Sequence, residues 1–360
     1  MKNQEAYQLV EPITIGMRKI GQDQEVYTIA EMSANHNQSF DNAVKIILAA
    51  KESGADAVKL QTYTPDTITI DCDNKCFQIG EGNLWQGQSL YELYKKAYTP
   101  WDWHPKLKKV ADDIGIDLFS SPFDSSAVDF LEKMDVPAYK IASLEIIDIP
   151  LLKRIAKTGK PVILSCGMAS LAEIEEAVHT LQINNCNHLI LLKCTSAYPS
   201  PPEEMNLLTI PHLSDAFHVP VGLSDHTLGI AVPITAVVCG ACVIEKHFCL
   251  SRSLPGPDSS FSLEPHEFKE MVAAIKTAKK ALGRVSYEAS AHEAANKAYR
   301  RSLFAVQDMK KGEFFSPDTI RSIRPGSGLH PRYYEYLLGT KARADIKRGT
   351  PLSWDLVEKI

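Results

Sequence analysis

The sequence predicts a (β/α)8 barrel followed by a small second domain. Three observations carry this: eight short apolar runs between Val26 and Leu250, longer amphipathic stretches between them, and a change of texture after Arg301. Strands buried on both faces are apolar at odd and even positions alike, as these runs are.

Taken in order, residues 11–25 (EPITIGMRKIGQDQE) form a short hairpin that closes the barrel bottom. The strands follow as VYTIAE (26–31), AVKLQ (57–61), DLFSS (117–121), AYKIA (138–142), PVILS (161–165), HLILLKC (188–194), VPVGLS (219–224) and CVIEKHF (242–248). Helical periodicity fills the gaps. In FDNAVKIILAAKESG, Val44, Ile47 and Ala50 share a face and Gly54 supplies the stop. A doubly wound sheet would carry a Gly-rich phosphate loop after its first strand, whereas this strand runs into EMSANHN. Residues 1–285 are therefore assigned to the barrel and its hairpin, 286–300 to a linker, and 301–360 to the small domain. There the turns Lys310–Gly312 and Lys347–Gly349 suggest two related hairpin units.

The charge of −5 excludes a general nucleic-acid binder, yet residues 300–360 hold 12 Lys/Arg against 7 Asp/Glu, a local +5. A basic tail suits a position over an anionic site. No apolar run approaches the roughly 18 residues of a membrane span. Met1–Val10 is polar, without a signal-peptide core, so a cytoplasmic protein is expected. Most of the eight cysteines sit in apolar runs and read as reduced core thiols, including the lone Cys239/Cys242 pair.

Parallel barrels place their chemistry at the C-terminal strand ends. Here those ends carry Glu31, Lys59 with Gln61, Ser120 with Ser121, Lys140 with Ser143 and Glu145, Ser165, Thr195 with Ser196, Ser224–Asp225–His226, and Glu245 with His247. Two lysines among serine hydroxyls suit a ligand bearing both phosphate and carboxylate; the plainer alternative is pairing with Glu31 or Glu145. His226 and His247 could hold a divalent metal, with Asp225 orienting or supplementing them, or could be acid/base groups or hydrogen-bonded core histidines.

The segments AEMSANHN, VKLQTY, SSPFD, AYKIAS, ILSCGM, CTSAYPSP, GLSDHT, IEKHF and PGPD, with the tail RSLFAVQDMKKGE…IRSIRPGSGLHP…LLGTKARADIKRGTPL, resemble the sialic acid synthase family over nearly the whole chain. That family consists of phosphoenolpyruvate-dependent nonulosonate synthases. QTYTPDT, the block LWQGQSLYELYKKAYTPWDWH and RPGSGLHP resemble its pseudaminic branch more than its neuraminic branch. The cluster Tyr63, Trp85, Tyr91, Tyr94, Trp101 and Trp103 suits an acceptor with a deoxy carbon and a second acetamido group.

The resemblance implies a barrel with a C-terminal antifreeze-like (SAF) domain. It implies condensation of phosphoenolpyruvate with 2,4-diacetamido-2,4,6-trideoxy-L-altrose and water, giving pseudaminic acid and phosphate by C–O cleavage. Lys59, Ser121, Lys140, Ser143, Ser165, Ser196 and Ser224 would hold phosphoenolpyruvate; Ser196 stands where the neuraminic branch commonly has asparagine, and Ser121 where a threonine can occur. Gln61, Glu145, Tyr198, Asp258 and Arg324 would surround the sugar, and Glu31 would handle the attacking water. His226 and His247 would bind the metal, Mn2+ or Mg2+. Arg324 would arrive from a second copy, implying a domain-swapped homodimer, and the product would serve surface glycans or flagella. A neuraminate or legionaminate synthase, an aldolase using Lys140 as a Schiff base, and a carbohydrate-binding protein with an inactive barrel are the rival readings.

Overall fold

The computed structural model describes residues 10–80, 85–254 and 256–358. Leu84 of the aromatic block and Pro255 of the PGPD turn lie outside them. The chain divides into two compact units, Met1–Gly283 and Arg284–Ile360.

In the first unit, β1 (Ile13–Ile15) and β2 (Arg18–Ile20) form an antiparallel hairpin. Eight parallel strands then close into a barrel: β3 (Tyr27–Glu31), β4 (Ala57–Thr62), β5 (Asp117–Pro122), β6 (Tyr139–Ile141), β7 (Val162–Ser165), β8 (Leu189–Cys194), β9 (Val221–Asp225) and β10 (Val243–His247). Each pairs with its neighbours in sequence, and β10 returns to β3 with His247 opposite Glu31. Burial on both faces accounts for the unbroken apolar runs.

The first outer helix, Phe40–Glu52, shows how the segments between strands fold. The Ser39 side chain accepts from the Asn42 amide, and Gly54, at φ +87°, lets the chain leave the helix. Its buried stripe is Ala43, Ile46, Ile47 and Ala50, with Val44 at the margin, so the core face is turned slightly from the predicted one. The hairpin end is closed by polar ties: Tyr27 Oη donates to Asp117 Oδ2 at 2.7 Å, and Arg18 pairs with Asp56 at 2.9 Å. Gly16 is required there, since a Cβ would lie 2.5 Å from Asp117 Oδ1.

The second unit has its own core of Leu303, Met309, Phe315, Ile320, Leu337, Ile346 and Leu352. Strands β11 (Ser302–Ala305) and β12 (Ile320–Ile323) pair antiparallel. The two predicted related turns pair with each other: Met309 and Ile346 exchange backbone hydrogen bonds of 2.7 and 2.9 Å. Asp345 Oδ1 accepts from the Lys311 amide and Asp308 Oδ1 from the Arg348 amide, while Lys310 pairs with Asp345 and Lys347 with Asp308. Each half caps the other's turn.

Candidate active site

Side chains alternate along each strand, so every second residue at a strand end faces the barrel mouth. On β4 these are Lys59 and Gln61, on β10 Glu245 and His247, and on β3 Glu31. Lys59 Nζ lies 3.1 Å from Glu31 Oε2 and 2.9 Å from Glu245 Oε1, with Ser121 Oγ at 3.5 Å; all four residues are buried. Gln61 Nε2 donates to Glu31 Oε1 and to Ser33 Oγ, both at 3.1 Å. Ser33 Oγ in turn donates to Asp258 Oδ2 at 2.5 Å. Asp258 is 7% exposed, so its carboxylate belongs to this buried network.

One cation among several buried carboxylates sets the electrostatics. Burial pushes Glu31 up to about 7 against the pull of Lys59, and Glu245 adds to the rise. Glu245 itself is held below its ordinary value, since Lys140 and Lys59 outweigh its burial. Oε2 of Glu245 and Oε2 of Glu145 lack a hydrogen-bond partner among the described residues. Buried orphan oxygens of this kind suit a site that completes its bonding with a ligand.

A second group gathers around Lys140. Its Nζ donates to Ser165 Oγ at 2.6 Å and to the Ile141 carbonyl at 2.9 Å, and burial lowers its pKa. Ser143 Oγ accepts from the Gly167 amide at 3.1 Å. A Cβ on Gly167 would fall 2.4 Å from Ser196 Oγ and 2.7 Å from Ser143 Oγ, so this glycine leaves room for both hydroxyls. Ser224 Oγ reaches Glu245 Oε1 at 3.4 Å. Lysines and hydroxyls from β4 to β9 thus line one mouth.

The histidines meet beside them, with ring centroids of His226 and His247 5.4 Å apart. His226 Nδ1 lies 2.9 Å from the Thr195 carbonyl, which can only accept, so Nδ1 carries a proton and Nε2 is the nitrogen that can offer a lone pair; against burial, Cys194 and the Thr195 carbonyl hold the ring above its ordinary pKa. Burial and His226 hold His247 well below its ordinary pKa, and its buried Nδ1 has no partner among the described residues. Once His226 gives up its Nε2 proton, the two imidazoles offer free lone pairs and are suitable cation ligands. Among the described residues no cluster of three or more His, Cys, Asp or Glu completes such a site, so remaining positions would fall to water and substrate. Asp225 does not belong to the pair, contrary to expectation. It lies one residue before His226, on the opposite face of the sheet, where it bonds Lys246.

Aromatic rings close the other side. Tyr198 packs on His226 at 4.4 Å, on Phe261 at 5.4 Å and on Trp85 at 5.8 Å. Tyr63 and Tyr94 meet edge to face at 5.5 Å; Asp258 raises the first phenol's pKa and Glu145 the second's, each after burial. Glu145 is itself pushed up to about 7 by burial. The aromatic block is not one cluster, however. Trp101 packs on Phe130, Trp103 on His36 and Phe40, and Tyr91 bonds Asp66. Arg324 lies in the second unit, exposed, in a cleft of about 540 Å3 shared with Asn296, Tyr299, Arg300 and Arg301.

A family model described as "NeuB family" matches residues 46–287, and an SAF domain model matches residues 300–358. The chain belongs to the NeuB family. It is 47% identical over 330 residues to a protein of Campylobacter jejuni named pseudaminic acid synthase, covering 92% of this chain and 96% of that one. Against the N,N'-diacetyllegionaminic acid synthase of Legionella pneumophila it is 38% identical, covering 95% and 98%. Among solved structures, the N-acetylneuraminic acid synthetase of Leptospira borgpetersenii, in complex with citrate, matches at TM-score 0.72 and 34% identity over 81% of this chain and 96% of that one.

In this NeuB family barrel, sequence reasoning gave no role to Glu245, Ser33, Gly167 or Cys194. Glu245 shares parity with His247, a signal available in the strand alternation. Cys194 Sγ lies 3.8 Å from Ser196 Oγ and 3.9 Å from His226 Nδ1; burial raises its pKa, and His226, Ser143 and Lys140 bring it down to about 7.

Proposed function

We propose that this chain condenses phosphoenolpyruvate with 2,4-diacetamido-2,4,6-trideoxy-L-altrose and water to give pseudaminic acid and phosphate. The observation that carries the reading is the convergence of Lys59, Lys140 and a ring of serine hydroxyls on one buried mouth beside His226 and His247. Identity of 47% to a pseudaminic acid synthase, against 38% to a legionaminic acid synthase, favours this acceptor over the legionaminate and neuraminate alternatives. The aromatic wall of Trp85, Tyr198, Phe261, Tyr63 and Tyr94 also favours it, because a 6-deoxy carbon needs an apolar seat.

Lys59, Lys140, Ser121, Ser143, Ser165, Ser196 and Ser224 bind phosphoenolpyruvate, the two ammonium groups countering its phosphate and carboxylate. Gln61, Glu145, Tyr198 and Asp258 hold the open-chain sugar. The enol carbon bonds to the aldehyde carbon, whose oxygen becomes an alkoxide. Water adds to the carbon bearing phosphate and gives a proton to Glu31, which the mouth holds ready as a base. Glu145, pushed up to about 7, is an acid available to the alkoxide. The resulting tetrahedral carbon then expels phosphate by C–O cleavage. A divalent ion, Mn2+ or Mg2+, held by His226 and His247 would supply Lewis acidity toward the aldehyde oxygen.

Arg324 joins the sugar site from a second copy, in a domain-swapped homodimer. Supporting this are its exposure and the exposed apolar residues Leu144, Ile147, Met168, Leu208 and Leu228 on consecutive βα loops of the barrel rim. Among the described residues no helix is long and apolar enough to cross a membrane, which accords with a cytoplasmic biosynthetic role.

The deciding experiment is phosphate release from phosphoenolpyruvate with and without chelator, comparing the altrose acceptor with N-acetylmannosamine. Metal-dependent release with the altrose alone supports the reading. Release with N-acetylmannosamine moves the chain to the neuraminate alternative, and release with neither removes the activity.

A further inference from the structure

Ser33 has a φ of +44°, a left-handed conformation that glycine adopts freely and a serine adopts at a cost. It sits at the barrel mouth just after Glu31, 5% exposed. Residues held in strained backbone at a site persist where their side chain has a task. Here the hydroxyl is that task. Its single proton goes to Asp258 Oδ2 at 2.5 Å, and it accepts from Gln61 Nε2 at 3.1 Å. The other proton of that amide nitrogen reaches Glu31 Oε1 at 3.1 Å.

The direction of every bond in this chain is fixed. An amide nitrogen only donates, and a carboxylate oxygen receiving such a bond only accepts. Glu31 and Asp258, from opposite ends of the first unit's sequence, are therefore tied through Gln61 and Ser33 with both facing oxygens as acceptors. Without the hydroxyl, Asp258 would keep one long contact, from the Ala34 amide at 3.4 Å. It would then be a buried carboxylate without a firm hold, and burial already raises its pKa.

We infer that Ser33 is a positioning residue for the acceptor end of the site: it aims Asp258 at the amino sugar and couples that carboxylate to Glu31. This rests on the reading of Asp258 as a sugar-binding group.

The test is Ser33→Gly, which removes the hydroxyl and relieves the backbone together. A merely structural serine predicts a change confined to Tm, with unchanged kinetics. A positioning serine predicts an unchanged or higher Tm with the acceptor KM raised about tenfold, as loss of a buried bond to a charged group implies, and the phosphoenolpyruvate KM within about twofold. In an Asp258→Asn background, Ser33→Gly should add little, because the two act as a unit. An acceptor KM within about twofold of the parent, or additive effects in the double variant, overturns the inference. A crystal structure of Ser33→Gly decides the point without turnover: Asp258 reoriented supports it, and Asp258 in place overturns it. Turnover by the unaltered protein judges the proposed function separately.

Discussion

Lys246 Nζ lies 2.5 Å from Asp225 Oδ2, and both side chains are fully buried. The two residues are directly opposed in the β9–β10 register, and each immediately precedes a histidine of the mouth. Lys246 also donates to the Thr227 carbonyl at 2.5 Å, and Asp225 Oδ1 accepts from the Thr227 amide at 2.9 Å. The ion pair thus clamps, from the helix side, the two strand ends that carry His226 and His247.

Lys246→Met should destabilise the protein by about 3–5 kcal/mol, since it strands a buried carboxylate. Adding Asp225→Asn should recover part of that, because the amide oxygen still accepts from Thr227. Urea denaturation of both variants measures it. A single variant as stable as the parent would mean that water reaches Asp225.

Glu31 rises from its ordinary 4.5 to about 7, so between those pH values the folded state binds more protons than the unfolded. Stability contributed by this group therefore falls as pH rises from about 4.5 to 7, by roughly 3 kcal/mol. Glu31→Gln should flatten that decline in Tm between pH 5 and 7.5. Parallel Tm profiles for parent and variant would show that Lys59 keeps Glu31 ionised throughout.

Gly167→Ala should raise the phosphoenolpyruvate KM about tenfold with little change in Tm, because its methyl group displaces the mobile hydroxyls of Ser143 and Ser196 rather than backbone. Steady-state kinetics with circular dichroism as a fold control would report it. An unchanged KM would remove these two serines from the phosphoenolpyruvate site.

His247→Ala should abolish binding of Mn2+ followed by water-proton relaxation, a measurement independent of turnover, while leaving the far-ultraviolet spectrum intact. Unaltered Mn2+ affinity would place the ion elsewhere.

The barrel could be read from the sequence because its strands are buried on both faces: LILLKC admits no solvent-facing parity, and the segments between strands keep helical period. The mouth could be read in outline for the related reason that Lys59, Lys140, His226 and His247 are polar breaks in apolar runs. What sequence adjacency blurred was facing. Asp225 looked like a companion of His226, yet one step along a strand turns a side chain to the other face. The aromatic block scattered because Trp101 and Trp103, just before the helix His104–Ile114, pack on Phe130 and on His36 and Phe40, while among its described residues Trp85 is the one whose ring meets Tyr198. Ser33 carried no signal at all, since a left-handed serine is spelled like any other.

The reciprocal caps of the second unit bear on how the chain is made. Asp308 closes the turn at Arg348, and Asp345 closes the one at Lys311, so neither half is complete until the other exists. During synthesis the barrel's last strand, ending at His247, is finished long before Asp345 is added, and domains fold as they emerge. The small unit has no such head start. Its first turn waits, uncapped, for Asp345 to leave the ribosome, and a message truncated before Asp345 would yield a finished barrel trailing an unfolded tail.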